Sequence, residues 1–205
     1  MVHSMTPKAG LLCMVASWMA GVPVRVHTFT GLLFPTATGL KRKILMATDW
    51  ITCACATHII PEGEGVKNDL LNNGITKKPI KVLGYGNCRG IDLERFDKTP
   101  EVMEQAEKLR KKSVCTFIAV GRIVGDKGIN ELVEAFVKLN KENSATRLIL
   151  VGCYEDKLDP LKSETLNLIK NCSAIEAVGQ QKDVRPWFAA ADVAVLASYR
   201  EGFPN

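Results

Sequence analysis

The stretch "SVCTFIAVGRIVGDKGINELVEAFVKLN", residues 113–140, contains the pattern that decides the fold. Its apolar beginning, residues 113–121, predicts a strand that is buried on both faces, as in a parallel sheet. The glycine-rich "GRIVGDKG", residues 121–128, predicts a turn. Beyond the turn, apolar residues recur at helical spacing, at Ile129, Leu132, Val133, Phe136 and Val137. The stretch therefore predicts the strand, turn and helix of an α/β protein.

The same alternation continues to the end of the chain. Apolar runs predict strands at 146–152, 174–180 and 192–199, and helices at 160–171 and 184–191 lie between them. Strands that alternate with helices pair in parallel and are covered on both faces. No helix follows the last predicted strand, so we expect this sheet to be incomplete in the chain.

The first part of the chain alternates in a similar way. Helices are predicted at 8–20, 40–50, 65–74 and 100–112, and strands at 22–29, 56–60 and 79–86. The first of these helices has no predicted strand before it. The pattern indicates two α/β domains, and we expect the chain to be the middle of a longer protein.

Composition narrows the class of protein. The chain has 205 residues, 46% of them hydrophobic and 24% charged, with a net charge of +5, which is typical of a globular domain. It has no zinc-finger spacing, RNP-like strand or helix-turn-helix signature, so no nucleic-acid partner is expected. Seven scattered cysteines without a CxxC motif predict a reducing, cytoplasmic location and no metal site. The apolar residues 8–24 have helical spacing, which favours a core helix over a signal peptide.

The turn "GRIVGDKG" has the composition of a phosphate-binding turn. Backbone N–H groups at a helix N-terminus, glycines that allow close approach and cations that neutralise charge are what such a site needs. It is not a P-loop, which needs glycine in place of Asp126, nor a dinucleotide motif, which needs glycine in place of Ile123. Arg122 and Lys127 flank the turn, which suits a diphosphate. The alternative is a plain glycine turn with solvated charges.

Two further features bear on this turn. A carboxylate at Asp126 would repel a diphosphate, so we expect it to turn outward or to cap the helix near Gly128.

The second feature is the stretch "SYREGFPN", residues 198–205, which follows a predicted parallel strand. Open α/β sheets bind ligands at the carboxyl ends of their strands. Glu201 and Gly202 are therefore expected beside the same crevice as Arg122.

Four motifs in order carry a family resemblance: "GIDLERF", "VGRIVGDKGINELVEAF", "RLILVG" and "GQQKDVRPWFAAADVAVLASYREGFPN". They resemble the nucleotide-sugar-binding half of a family 4 retaining glycosyltransferase of the GT-B fold. Upstream, "HSMTPKAGLLCMVASWMAGVPVRVHTFTGLLFP" resembles the later part of that family's acceptor domain, as in bacterial capsule and exopolysaccharide enzymes. A nucleotide-sugar 2-epimerase of the same fold and a non-catalytic nucleotide-binding remnant stay open as alternatives.

The resemblance implies two Rossmann-like parallel-sheet domains, both incomplete in this chain. Residues 1–86 would be the C-terminal part of the acceptor domain, and residues 87–205 the N-terminal part of the donor domain. The family's second glutamate would lie beyond Asn205, so we expect this chain alone to be inactive.

The resemblance also implies roles for single residues. The donor diphosphate would be bound at Gly121, Arg122 and Lys127, whose two cations stabilise the negative charge that develops on it. Glu201 would be catalytic, as the first glutamate of the family's pair. The donor sugar would be lined by the backbone of Gly202, Phe203 and Pro204.

The chain departs from the family at positions where relatives often have histidine. Relatives often read His-x-His-Thr-Pro, and here the sequence is "HSMTP", so His3 is kept and the second histidine is Met5. The resemblance implies a catalytic or orienting role for His3 near the donor sugar. His27 and His58 lie in strand-like runs and are interpreted as structural, and Thr30 stands where relatives often have histidine.

The expected partners follow from the family. The donor would be a nucleotide-diphosphate sugar, by family habit a UDP-sugar, and the acceptor a saccharide or a lipid-linked sugar. No metal or other cofactor is expected, because Arg122 and Lys127 would stabilise the charge on the leaving diphosphate. The resemblance also implies a front-face mechanism, in which that diphosphate helps deprotonate the acceptor. The basic amphipathic stretch "GLKRKILMATDW", residues 39–50, suggests peripheral contact with the inner face of the plasma membrane.

Overall fold

The computed structural model describes residues 1–87, 90–155, 159–199 and 201. The chain divides into two compact units, the first made of residues 1–91 together with the segment that contains Glu201, and the second of residues 92–199. None of the helices in the described ranges combines the length and the hydropathy that crossing a bilayer requires.

The first unit is a three-stranded parallel sheet with helices. Its strands are β1 (Val2–Ser4), β2 (Arg25–Phe29) and β3 (His58–Pro61), in the order β1-β2-β3. Its helices are α1 (Pro7–Met19), α2 (Gly39–Cys55) and α3 (Glu64–Asn72). Helix α1 begins with a proline at its first position and ends before Gly21, whose φ of 68° suits glycine. The helix predicted at 8–20 is confirmed.

Two predictions for this unit are wrong. A strand does precede α1: β1 pairs in parallel with β2, with Val2 beside Arg25, but its three residues are too few to show alternation. In contrast, residues 79–86 form no strand in the structure. Pro79 has no N–H to donate, and the positive φ values of Gly84 and Gly86 end the extended chain. Ile80 nevertheless packs against the core of the unit.

The second unit is a four-stranded parallel sheet. Its strands are β4 (Cys115–Val120), β5 (Thr146–Val151), β6 (Ile175–Gly179) and β7 (Val193–Ala194), in the order β6-β5-β4-β7. Its helices are α4 (Pro100–Leu109), α5 (Ile129–Glu142), α6 (Ser163–Asn171) and α7 (Arg185–Ala190), and a short 3₁₀ turn covers Gly125–Lys127. The predicted element order is confirmed, although β7 is shorter than the predicted strand 192–199.

The core of this unit confirms a sheet covered on both faces. All six residues of β5 are buried. Leu148 and Leu150 pack on one side with apolar residues of α5 such as Val133. Ile149 lies on the opposite side, in a cluster against which Trp187 of α7 packs. The near-continuous apolar runs of the sequence therefore correspond to central strands.

Candidate functional site

The strand order of the second unit creates a switch point at β4. From β4 the chain proceeds to β5 and β6 on one side, and β7 then lies on the other side of β4. Ligands of open α/β sheets bind outside the carboxyl ends of the strands at such a point. The turn "GRIVGDKG" follows β4, and the segment that leads to Glu201 follows β7. The turn, and the described residues Ser198 and Tyr199 of the second stretch, thus follow the carboxyl ends of neighbouring strands.

The structure brings these two stretches into contact. The N–H of Tyr199 donates to the carbonyl of Asp126 at 3.1 Å. Gly128 lies in the left-handed region with φ 67°, and a Cβ at this position would overlap the backbone carbonyl of Ala197. Only glycine satisfies both constraints, because other residues are disfavoured at positive φ and also carry a Cβ.

The backbone N–H groups of the turn are used within the protein. Gly125 N–H donates to the Asp159 carbonyl at 3.4 Å, and Asp126 N–H to the Asp159 carboxylate at 2.6 Å. The next two N–H groups, of Lys127 and Gly128, donate to carbonyls inside the turn. These four N–H groups therefore have partners within the protein, and the side chains of Arg122 and Lys127 supply the positive charge of the turn.

Asp159 anchors the turn, and sequence reasoning missed it. It follows β5, and both its carboxylate and its carbonyl accept N–H groups of the turn. Next to it, the Asn130 side-chain carbonyl accepts Lys162 N–H at 3.0 Å and the Thr165 hydroxyl at 2.8 Å. The Asp-Pro dipeptide at residues 159–160 signalled a turn, but it did not reveal which loop the carboxylate would bond.

The cations of the turn differ in their surroundings. Nη1 of Arg122 donates to Oε2 of Glu155 at 2.8 Å, and about half of the Arg122 side chain (49%) is exposed. Lys127 is partly buried. Asp126 is partly buried too, and the N-cap position of α5 is occupied by Gly128. Glu155 carried no signal in the sequence, because its partner lies 33 residues away.

The residues expected around the donor sugar are only partly described. Glu201 is partly buried. The donor-sugar assignments to Gly202, Phe203 and Pro204 fall outside the described residues. The same holds for one of the seven cysteines, Cys88.

His3 lies in the first unit, at the carboxyl ends of its strands. Its Nε2 is 2.8 Å from the hydroxyl of Thr28. Both residues line a cavity of about 380 Å³, together with Met5, Glu62 and Asn87. The cavity has polar groups and an apolar wall of Ile60 and Pro61, a mixture that suits a sugar.

His27 is a core residue, as predicted. It is buried, its Nδ1 is 2.8 Å from the Ser4 hydroxyl, and its ring packs edge-on against Phe29. Gly10 lies directly against the imidazole, which leaves no room for a Cβ. Burial, followed by repulsion from His3, lowers the pKa of His27 to about 4. His58, in contrast, is exposed at the start of β3 and lies 3.0 Å from the Thr57 hydroxyl.

Comparison with known proteins identifies the family. Residues 102–205, half of the chain, match the family model described as "Glycosyl transferases group 1". The chain belongs to the group 1 glycosyl transferases. Capsular polysaccharide biosynthesis glycosyltransferase CapM of Staphylococcus aureus is 33% identical over 207 residues, which cover 100% of this chain and 54% of that relative. The UDP-Gal:alpha-D-GlcNAc-diphosphoundecaprenol alpha-1,3-galactosyltransferase of Escherichia coli is 27% identical over 99% of this chain and 53% of its own length.

Solved structures agree on the fold. The crystal structure of Anabaena Alr3699/HepE in complex with UDP-glucose matches with a TM-score of 0.75 at 18% identity, over 96% of this chain and 53% of the other. Sucrose-phosphate synthase from Thermosynechococcus elongatus matches with a TM-score of 0.73 at 19% identity, over 98% of this chain and 51% of the other. The predicted GT-B fold is confirmed. The chain spans about half the length of the relatives that it matches.

Replacement of Gly128 by alanine tests the contact between the two loops. We expect Gly128→Ala to lower the free energy of unfolding by about 2 kcal/mol or more, because a positive φ alone costs about 1–2 kcal/mol and Ala197 blocks the Cβ. Urea unfolding measures this. The control is Gly65→Ala in α3, where a Cβ meets nothing within 4 Å and helix propensity raises stability by up to about 1 kcal/mol. Equal effects of the two substitutions would contradict the packing argument.

The lowered pKa of His27 predicts a pH effect on stability. The unfolded chain binds a proton near the ordinary pKa of 6.5, whereas the folded chain binds it only near pH 4. Stability is therefore complete above about pH 6.5 and falls as the pH decreases toward 4. From about pH 7 to pH 5 the loss is about 2 kcal/mol. Urea unfolding at pH 7 and pH 5 measures the loss. We expect the unfolding free energy of wild type to fall by this amount more than that of His27→Gln.

Asp49 makes the comparison with the variant necessary. Burial in α2 raises the pKa of Asp49 to about 6, so its contribution to stability increases as the pH falls through the same window. This contribution is present in both proteins and cancels in the difference. Parallel pH profiles for wild type and His27→Gln would contradict the prediction.

Proposed function

We propose that the protein is a glycosyltransferase that transfers a sugar from a nucleotide-diphosphate sugar to a saccharide or lipid-linked acceptor in cell-envelope polysaccharide biosynthesis. The observation that carries the proposal is the position of Arg122 and Lys127 on the turn after β4, at the switch point of the second sheet. Relatives named for capsular polysaccharide biosynthesis and for transfer from UDP-Gal to a diphosphoundecaprenol-linked sugar support it. The donor we propose is a UDP-sugar.

The chemistry that the turn supplies is charge stabilisation. Negative charge grows on the diphosphate as its bond to the sugar breaks, and preorganised cations nearby lower the energy of that transition state. Arg122 and Lys127 provide two positive charges on a turn that Asp159 and Gly128 hold in place. The proposal therefore involves no metal ion or other cofactor. Transfer with retention follows from the family's front-face mechanism, in which the leaving diphosphate helps deprotonate the acceptor hydroxyl.

The remaining site residues complete the proposal. Glu201 would contact the donor sugar, as its place in the family's motif after β7 implies. His3 would orient a sugar, since Thr28 fixes its ring beside the cavity of the first unit. Glu62 and Asn87 add hydrogen-bonding groups to that cavity. A saccharide acceptor offers many hydroxyl groups to such a lining.

A lipid-linked acceptor would require contact with a membrane surface, and α2 has a face that suits this. Four large apolar side chains on this helix are exposed, those of Leu40, Ile44, Trp50 and Ile51. Lys41 and Lys43 are exposed near its N-terminus. The Arg42 side chain instead donates a hydrogen bond to the Asn73 side chain at 2.7 Å, and its guanidinium lies over the Phe34 ring. We propose that this helix contacts anionic lipid at the inner face of the plasma membrane, with the protein in the cytoplasm.

Substitution of the two cations of the turn tests the transfer reaction. We expect Arg122→Ala and Lys127→Ala, each made in the complete protein, to lower the rate of sugar transfer from a UDP-sugar by about 10²–10³-fold, as loss of a charge-stabilising group does. The midpoint of thermal unfolding should stay unchanged. The control is Lys138→Ala, which removes an exposed lysine of α5 that pairs with Glu134. The measurement is product formation with a lipid-linked sugar acceptor.

Three other results would each exclude the proposal. Unchanged turnover in both variants would mean that the turn does not bind the diphosphate. Release of a 2-epimerised sugar without acceptor would identify the nucleotide-sugar 2-epimerase that the sequence left open. UDP binding by the complete protein without any turnover would identify a nucleotide-binding remnant.

The membrane contact is tested with vesicles. We expect the protein to float with vesicles that contain phosphatidylglycerol and not with pure phosphatidylcholine, because the attraction of lysines to anionic lipid supplies part of the binding. Lys41→Glu with Lys43→Glu should abolish flotation. The control is Lys138→Glu, which makes the same substitution at one exposed lysine of the second unit and changes the net charge by half as much as the double variant. Equal binding to both lipids, or flotation of the double variant, would refute this surface.

A further inference from the structure

The proposed reaction makes no use of the contact between Arg122 and Glu155. Arg122 follows β4 and Glu155 follows β5, and one Nη1–H donates to one carboxylate oxygen at 2.8 Å. Both side chains are accessible, with 49% and 32% of their surfaces exposed. In the described part of the chain, Nη1 is the guanidinium nitrogen that bonds this carboxylate, and Nε and Nη2 have no hydrogen bond to it.

A second arginine pair in the same unit shows what a structural pair looks like. The guanidinium of Arg147 is only 6% exposed and bonds Glu176 through two nitrogens, Nε at 3.0 Å and Nη2. Its Nη1 also donates to the Leu109 carbonyl. Such a pair fixes three segments together. The Arg122–Glu155 pair has one contact and is open to solvent, so it can separate at little cost.

The geometry of the turn does not need the Arg122–Glu155 pair. The turn is anchored to the segment after β5 by Asp159, which accepts two backbone N–H groups. It is anchored to the segment after β7 by the Gly128 contact and the Tyr199 hydrogen bond. Loss of the Glu155 charge would therefore leave the position of the Arg122 backbone unchanged.

The Arg122–Glu155 pair affects how an anionic ligand binds to Arg122. Carboxylate and phosphate oxygens bind the same guanidinium N–H groups, and a phosphate can use two of them at once. A diphosphate that arrives at Arg122 must displace the Glu155 carboxylate or bind beside it, against its negative charge. When the nucleoside diphosphate product leaves, the same carboxylate is at hand to take its place.

We infer that Glu155 competes with the donor diphosphate for Arg122, so that its charge weakens binding of the diphosphate and favours release of the nucleoside diphosphate product. The inference rests on the proposed function, in which Arg122 binds the diphosphate. It adds a residue that sets affinity and product release and that does not touch the reacting atoms. The step is an exchange of ion pairs, and no covalent bond changes.

The test is the affinity for UDP, measured by isothermal titration calorimetry on the full chain. Glu155→Gln keeps the size and the hydrogen-bonding oxygen of the side chain and removes its charge. We expect its Kd for UDP to be about fivefold lower than that of wild type, a factor that an exposed ion pair can supply. The gain should shrink at high salt, because salt screens exposed charges. The matched control is Glu134→Gln, which removes an exposed ion pair with Lys138 of the same 2.8 Å length.

A double variant separates competition for Arg122 from a general charge effect. In the Arg122→Ala background, Glu155→Gln should give little or no further gain, because the shared partner is absent. An equal gain in that background would overturn the inference. So would an unchanged Kd in Glu155→Gln. A higher Kd would overturn it as well, since Glu155 would then orient the guanidinium for the ligand.

Failure of the proposed function gives a different result. If wild type, Glu155→Gln and Glu134→Gln all bind no UDP, the diphosphate site itself is refuted. If wild type binds UDP and Arg122→Ala does not weaken it, the assignment of Arg122 is refuted. The role of Glu155 alone is refuted if wild type binds UDP through Arg122 and Glu155→Gln either does not improve the affinity or improves it equally in the Arg122→Ala background.

Discussion

The close approach of Gly128 to the Ala197 carbonyl is the constraint on which the site depends. It places the turn after β4 against the segment after β7, and the Tyr199 N–H fixes the register between them. Two stretches that are 70 residues apart in the chain thereby meet at one edge of one sheet. A side chain at this glycine would separate them and displace the turn that carries Arg122 and Lys127.

The turn divides its interactions between backbone and side chains. Its N–H groups are satisfied within the protein, two of them by Asp159. Buried N–H groups without partners are costly, so this arrangement stabilises a glycine-rich segment that would otherwise be loose. Positive charge is what the side chains of the turn add to this arrangement. Arg122 and Lys127 are the residues that supply this charge.

The sequence was sufficient to predict an element where the signal in it is local and repeated. The five apolar positions of α5 and the apolar run of β5 predicted their elements, and the glycine turn between strand and helix predicted the location of the site. It was insufficient for β1, whose three residues show no pattern, and for residues 79–86, where strand-like residues have no partner strand. Glu155 and Asp159 could not be found, because their partners lie 33 residues away and only the packing of two loops joins them.

The two carboxylates of the segment after β5 illustrate why that packing matters for function. Asp159 bonds backbone N–H groups, whose positions are fixed by the fold, so it determines where the turn lies. Glu155 bonds the end of a long side chain, which can move without any change in the backbone. A substitution at Asp159 would thus act on structure, whereas one at Glu155 acts on the charge that a ligand meets. This separation lets affinity for a diphosphate vary while the fold of the site stays constant.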